Sequence, residues 1–112
     1  MGGAILKYIE YSLIVRNKLN LLKLHLSIEY GAEIAQKSIT NIIQNIKTLS
    51  IFPLKGASVS SMYNIDCDYR YLYIEHHYLF YIIKSDTIII TEMFHEKEDF
   101  IHKLFSNTTY ST

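Results

Sequence analysis

Arg70 and His95 bracket the most aromatic part of this chain, the first inside Tyr69-Arg70-Tyr71-Leu72-Tyr73 and the second just after Thr91-Glu92-Met93-Phe94. A guanidinium is always charged and can stabilise negative charge as it develops; an imidazole titrating near pH 6.5 can take or give a proton. Arg70 and His95 are therefore residues able to do such chemistry, with Lys97 as the one further cation close by, though nothing local in the sequence proves catalysis. Five of the ten tyrosines fall between Asp68 and Ile82 (Tyr69, Tyr71, Tyr73, Tyr78 and Tyr81), a set suited to stacking on bases or to meeting a protein partner. His25, His76, His77, His95 and His102 show no zinc-type spacing and Cys67 stands alone, so neither a metal site nor a cofactor is expected. Gly-rich phosphate loops, a nucleophile elbow and a recognisable carboxylate pair are absent from the sequence.

Composition narrows the setting of these residues. At 112 residues with 49% hydrophobic content, four Gly and one Pro, the chain reads as one packed domain over 1–105, followed by a tail at 106–112 expected to be disordered. Eleven basic residues balance eleven acidic ones, where a protein that lives on phosphate contacts usually carries a basic excess. The charge is unevenly placed: residues 1–56 hold seven Lys/Arg against three Asp/Glu, and residues 57–112 hold four against eight. With one cysteine, no apolar run of about 18 residues and no signal-peptide start, the reading is a cytoplasmic protein without membrane attachment.

The elements that must position the candidate residues follow from periodicity. Ile5 to Tyr11 is β-rich, and Ser12 suits an N-cap. Over 13–30, Val15, Leu19, Leu22, Leu26 and Tyr30 line one side of a helix, while Ile14, Leu21, Leu24 and Ile28 form a second apolar line beside it. Gly31 breaks the pattern; Ala35, Ile39, Ile42, Ile46 and Leu49 then mark a second helix over 32–50, ended by Pro53 and Gly56. After an aperiodic stretch at 57–66, runs at 69–75, 78–84 and 87–94 predict an antiparallel meander with turns at His76-His77 and Ser85-Asp86, and 96–105 predicts a short helix. The fold class is α+β: β-α-α-β-β-β with a short C-terminal helix, the N-terminal strand and helical hairpin packing on an antiparallel sheet.

Strand alternation divides the meander into two faces. One carries Arg70, Leu72, Ile74, Leu79, Tyr81, Ile83, Ile88, Ile90, Glu92 and Phe94; the aliphatic character of this face marks it for the helices. The other carries Tyr69, Tyr71, Tyr73, Tyr78, Phe80, Ile82, Ile89, Thr91, Met93 and His95, and is expected to meet a partner. Arg70, among aliphatic neighbours, needs a carboxylate such as Glu92 or Asp68, or backbone carbonyls.

In this order and spacing, Lys7-Tyr-Ile-Glu-Tyr-Ser12, Tyr30-Gly31, Phe52-Pro-Leu-Lys-Gly56, Tyr69-Arg-Tyr-Leu72, Tyr78-Leu-Phe-Tyr81 and Phe94-His-Glu-Lys-Glu-Asp99 resemble the RelE/ParE superfamily of bacterial type II toxins, over roughly residues 4–105. The resemblance implies a growth-inhibiting toxin, of the kind linked to plasmid stabilisation, held inactive by a cognate antitoxin in a hetero-oligomer. RelE-like members cut mRNA on the ribosome with basic residues; ParE-like members inhibit DNA gyrase. Arg70 matches the superfamily arginine and His95 a histidine after the last strand, which makes them the candidate catalytic pair should the chain cut RNA, but Tyr78 stands where the RNA-cutting members carry a second arginine. Thr91-Glu92-Met93-Phe94 likewise replaces their late basic residues. The sequence thus leans to a ParE-like, non-enzymatic toxin, with the ribosome-dependent endoribonuclease as the alternative and an inactive antitoxin-binding relative as the third reading. An antitoxin segment is expected on Leu21, Leu24, Ile28, Phe100 and Leu104, bringing Lys or Arg to the acidic second half.

Overall fold

In the computed structural model, which describes residues 6–105, β1 (Tyr8–Tyr11) leads into α1 (Leu13–Tyr30) and α2 (Ala32–Lys47). Ser12 caps α1, its hydroxyl accepting from the Val15 amide at 3.1 Å. At Gly31 the backbone turns through φ 95°, a conformation that costs a residue with a Cβ, and this lets the two helices fold back on each other with no further loop. The second helix is shorter than its apolar stripe, because the last turn, Thr48–Ser50, tightens into a 3-10 helix.

The 57–66 stretch resolves into a two-residue strand, β2 (Ala57–Ser58), and a single helical turn, α3 (Val59–Tyr63). The meander follows as β3 (Arg70–Ile74), β4 (His77–Ile83) and β5 (Thr87–His95), and α4 (Phe100–Leu104) covers a shorter span than the pattern over 96–105 suggested. The sheet order is β1-β5-β4-β3-β2, with β1 parallel to β5 and every other pairing antiparallel. The expected tail at 106–112 and the start of the first strand at Ile5 lie outside the described residues.

Two local features differ from the alternation pattern. The β3–β4 turn sits at Glu75-His76, both in the left-handed region at φ 53° and 65°, as in a type I′ hairpin turn. His77 is consequently inside β4, opposite Ile74, and not in an exposed turn. Because the turn moves both strand ends by one residue, the faces of β3 and β4 stay as expected.

In β5 the register slips: Tyr81 opposes Ile90 whereas Phe80 opposes Glu92, leaving Thr91 as a bulged extra residue. Every residue after Thr91 therefore changes face. Met93 and His95 turn to the helical side with Leu79 and His77, while Glu92 and Phe94 turn to the aromatic side. The N-terminus of α1 is docked at this point, with the Ser12 amide donating to the Ile90 carbonyl at 2.9 Å and its hydroxyl to the Thr91 carbonyl at 3.1 Å.

The sheet is covered on both faces. Val15 and Leu19 of α1, Ile42 and Ile46 of α2, and Leu49 bury against Leu72, Leu79, Tyr81, Ile88, Ile90 and Met93 to form the main core. On the other side Val59, Phe80 and Phe94 are buried with Tyr69, Tyr71, Tyr78, Phe100 and Leu104 packed round them. The tyrosine-rich face is thus a second, smaller core closed by α3 and α4. Edge and tilted ring contacts knit it together, including Tyr78–Phe100 at 4.5 Å and Tyr69–Phe105 at 6.0 Å.

Candidate functional site

Arg70 lies on the helical face at the start of β3, opposite Tyr81. Its guanidinium takes the carbonyl option: Nη1 donates to Gly56 O at 2.7 Å and reaches Leu54 O at 3.5 Å. Glu92, one of its expected carboxylate partners, is on the far face and pairs with Lys18 at 2.8 Å. The Tyr81 hydroxyl completes the same knot, donating to Pro53 O at 2.7 Å and accepting from Gly56 N at 2.9 Å. Arg70 and Tyr81 together hold the segment 53–56 against the sheet, and burial pushes the Tyr81 phenol above its ordinary pKa.

His95 is at the opposite corner. It faces His77, which in turn opposes Ile74, so four residues of β3 and two strand spacings separate Arg70 from His95, roughly 13 Å along and 10 Å across at ordinary sheet dimensions. The two candidate catalytic residues are not brought together. What His95 meets instead is His77, ring to ring at 5.1 Å and perpendicular.

These two rings stand in the wall of a cleft of about 670 Å³ between the helical hairpin and the ends of β4 and β5. Leu21, Leu22, Leu26, Ile34 and Met93 make its apolar lining, and four of the five histidines of the chain, His25, His76, His77 and His95, line it as well. Their positions follow from the type I′ turn, which puts His77 in the strand, and from the bulge at Thr91, which turns His95 towards the helices. Burial lowers the His77 pKa, the nearby His95 and His76 lower it further, and its bond to the Glu75 carbonyl opposes them.

Around the cleft the carboxylates are already engaged. Glu75 accepts from Asn41 at 2.8 Å, and Glu98 accepts from the His95 amide at 2.9 Å and from Lys103 at 2.6 Å. Glu98 is held below its usual carboxylate pKa: burial pulls the other way, but Lys103 and the His95 amide outweigh it. Glu96 accepts from the Tyr73 hydroxyl and sits 3.2 Å from His76. The Tyr73 bond is the main cause that lowers the Glu96 pKa. Lys18 reaches round the edge that β5 presents beyond the end of β1, bonding Glu92 and the Met93 carbonyl at 2.7 Å. Lys97 is exposed, and its amide donates to His95 Nδ1 at 3.1 Å.

From the cleft an apolar strip runs over the outside of α1. Leu21, Leu24 and Ile28 are 64%, 58% and 77% exposed, and Tyr30 and Ile34 continue it round the hairpin tip. This is the second of the two apolar lines on α1; only the first, through Val15 and Leu19, is used by the core. Phe100 and Leu104 are placed otherwise, half-buried on the aromatic cluster. Of the tyrosines proposed as contacts, Tyr69, Tyr71 and Tyr78 lie partly buried in that cluster, Tyr81 is fully buried, and Tyr73 alone is largely exposed. His77, expected in the turn with His76, lies in β4 because the two-residue turn starts one position earlier, at Glu75.

Among the described residues no group of three or more His, Cys, Asp or Glu is placed to hold a metal ion, and no helix is long and apolar enough to cross a membrane.

No family model matches the chain, and no curated protein matches it either. Among solved structures, a chain described as the chromosomal ParDE TA system from P. aeruginosa superposes with a TM-score of 0.68 at 19% sequence identity, covering 82% of this chain and 98% of that one. The fold is ParDE-like. In this chain two long helices pack on a five-stranded sheet, and the sequence expectation of a RelE/ParE-like α+β architecture holds at the level of fold.

Proposed function

We propose that this protein is the toxin component of a type II toxin–antitoxin pair, acting in the cytoplasm by binding a cellular target protein, with DNA gyrase first in line, and neutralised by a cognate antitoxin that covers the outer strip of α1 and the adjoining cleft. The observation that carries the reading is the strip itself: Leu21, Leu24 and Ile28 lie in a row on the outside of α1, the element next to a large open cleft. An exposed apolar row of this length beside a concave site marks a protein interface.

Magnitudes favour an apolar antitoxin contact over an electrostatic one. Covering those three side chains is worth about 1–2 kcal/mol each, whereas exposed ion pairs to the acidic half contribute about 0–1 kcal/mol each. Likeness of fold to a ParDE chain supports a toxin–antitoxin role, and the neutral charge supports a protein target over a nucleic acid. The wide separation of Arg70 from His95, and the use of Arg70 to hold backbone carbonyls, count against the RNA-cutting alternative.

The test is a supercoiling assay with purified gyrase and the free chain, run beside a translation-coupled RNA-cutting assay. Inhibited supercoiling with intact mRNA is the expected result. Codon-phased cutting without gyrase inhibition would replace this reading with the endoribonuclease one.

A further inference from the structure

The cleft holds more chemistry than an apolar docking groove requires. His77 and His95 face each other with complementary proton positions. The Glu75 carbonyl, 2.6 Å from His77 Nδ1, can only accept, so this nitrogen carries the hydrogen and Nε2 is an acceptor in the neutral ring. His95 is the reverse: its Nδ1 accepts from the Lys97 amide at 3.1 Å, so Nε2 carries the hydrogen. Both Nε2 atoms are without a hydrogen-bond partner among the described residues, 5.1 Å between ring centres, in the lining of a cleft whose apolar part is leucine, isoleucine and methionine.

We propose that the cleft recognises an acidic, leucine-type peptide segment, one carboxylate of which seats on the Nε2 atoms of His77 and His95, so that the partner binds more tightly as the pH falls. This rests on the toxin–antitoxin reading for who supplies the segment, since the antitoxin is the partner assigned to this surface.

Charge complementarity selects a carboxylate. Glu75 and Glu98 are held by Asn41, Lys103 and the His95 amide, and Lys18 is held by Glu92 and the Met93 carbonyl. With His25 beside Glu29 and His76 beside Glu96, the Nε2 atoms of His77 and His95 are, among the described residues, the imidazole nitrogens of the lining left to meet an incoming charge. A single carboxylate flanked by aliphatic side chains matches that lining; a run of phosphates would lie against Glu75 and Glu98 and be repelled. This reverses the expectation of a basic antitoxin segment at this position.

The pH dependence follows from the neighbours. Facing the pair are Lys18 and His25 from α1, the latter 3.3 Å from Glu29; Glu75 and His76 from the β3–β4 turn; and Glu96 and Glu98 after β5. The cleft lining contributed by α2, Ile34 and Ser38, carries no charge. In the free protein, burial and the other histidines disfavour protonating His77. A seated carboxylate favours it, so binding takes up protons. Affinity then rises as pH falls through the bound-state pKa and levels off below the free-state one, by about tenfold for each pKa unit gained by one ring.

The experiment uses the full chain and three acetylated, amidated helical peptides of leucine and alanine that differ at one central position: Glu, Gln or Lys. Calorimetry at about pH 5.5 and pH 8, with the histidine Cε1–H resonances followed by NMR, reads both affinity and protonation. The Glu peptide is expected to bind at least about fivefold tighter than the Gln peptide at the lower pH, with the gap closing at the higher one, and to move the His77 and His95 signals. His77→Asn and His95→Asn, which keep a polar atom at the Nδ1 position and delete Nε2, are expected to abolish the preference. Equal binding of Glu and Gln peptides, tighter binding of the Lys peptide or of hexauridylate, or an unchanged preference in both variants would overturn the proposal. If an antitoxin that neutralises the chain on co-expression binds with pH-independent affinity, unaltered by the two variants, the toxin–antitoxin reading stands and this inference falls. If the Glu peptide behaves as described while no such antitoxin binds, the site stands and that reading falls.

Discussion

The Tyr81 hydroxyl and the Gly56 amide are 2.9 Å apart, and a Cβ placed on Gly56 would lie 2.6 Å from that same oxygen and from the Tyr71 carbonyl. Gly56 is thus required by close approach, its φ of −75° being open to any residue. Gly56→Ala is expected to destabilise the chain by about 2 kcal/mol or more, since the clash is with backbone and with a fully buried ring. Tyr81→Phe leaves the Gly56 amide and the Pro53 carbonyl without their partner and is expected to cost about 1–3 kcal/mol. Urea denaturation of the two variants checks both figures, and a Gly56→Ala protein as stable as the parent would show that the 53–56 segment can move away.

Arg70 holds the same segment through its carbonyls. Arg70→Ala is expected to lower stability by about 1–2 kcal/mol through loss of its bond to the Gly56 carbonyl, a charge-assisted bond discounted here for partial exposure. Arg70→Lys, which keeps the charge but not the fork, should recover only part of it. On the proposed toxin reading, loss of growth inhibition in Arg70→Ala with no change in melting temperature would make the arginine a contact to the target and not a brace.

For the α1 strip, the substitutions Leu21→Lys, Leu24→Lys and Ile28→Lys change exposed positions only. Each is expected to alter stability by no more than about 0.5 kcal/mol, while on the proposed toxin–antitoxin reading the triple variant binds the antitoxin at least about 100-fold more weakly. Co-expression provides the readout: the triple variant should escape neutralisation by the proposed antitoxin. Continued rescue of growth would move the antitoxin to a different surface.

The free protein should weaken in acid through His77. Its pKa is lowered in the fold, so the native state prefers the neutral ring. That contribution is complete above the unfolded value near 6.5 and is lost as pH falls from there through the folded value. The melting temperature is expected to drop between about pH 7.5 and pH 5.5, and His77→Asn should shrink the drop. An identical pH profile for parent and variant would show that His77 is protonated in the fold as readily as in the unfolded chain.

How much of this was legible beforehand depends on how local the deciding interactions are. The caps at Ser12 and Gly31, the two helices and the aliphatic face of the meander follow from period and from residues within a few positions of each other, and the ParDE-like α+β architecture was legible at that level. Even with the first turn set one residue late, the faces of β3 and β4 were assigned as found, because strand alternation is insensitive to that displacement.

Everything beyond Thr91 was different. Nothing in Thr91-Glu92-Met93-Phe94-His95 announces a bulge; it arises where the N-terminus of α1 takes the Ile90 and Thr91 carbonyls, groups contributed from about 80 residues away in the chain. That single extra residue sends Phe94 to the aromatic core and His95 to His77. Likewise α4 closes the tyrosine face by contacts between Phe100 and Tyr63, Tyr78 and Phe80 that no local pattern contains. The sequence by itself determined the two long helices, the strands of the meander and which of its sides those helices would cover, since these depend on side-chain order within each segment, whereas β2 and α3 carry no such local pattern. Tertiary structure alone decided the histidine pair, its cleft and the burial of the tyrosines, since those depend on which distant segments meet and in what register.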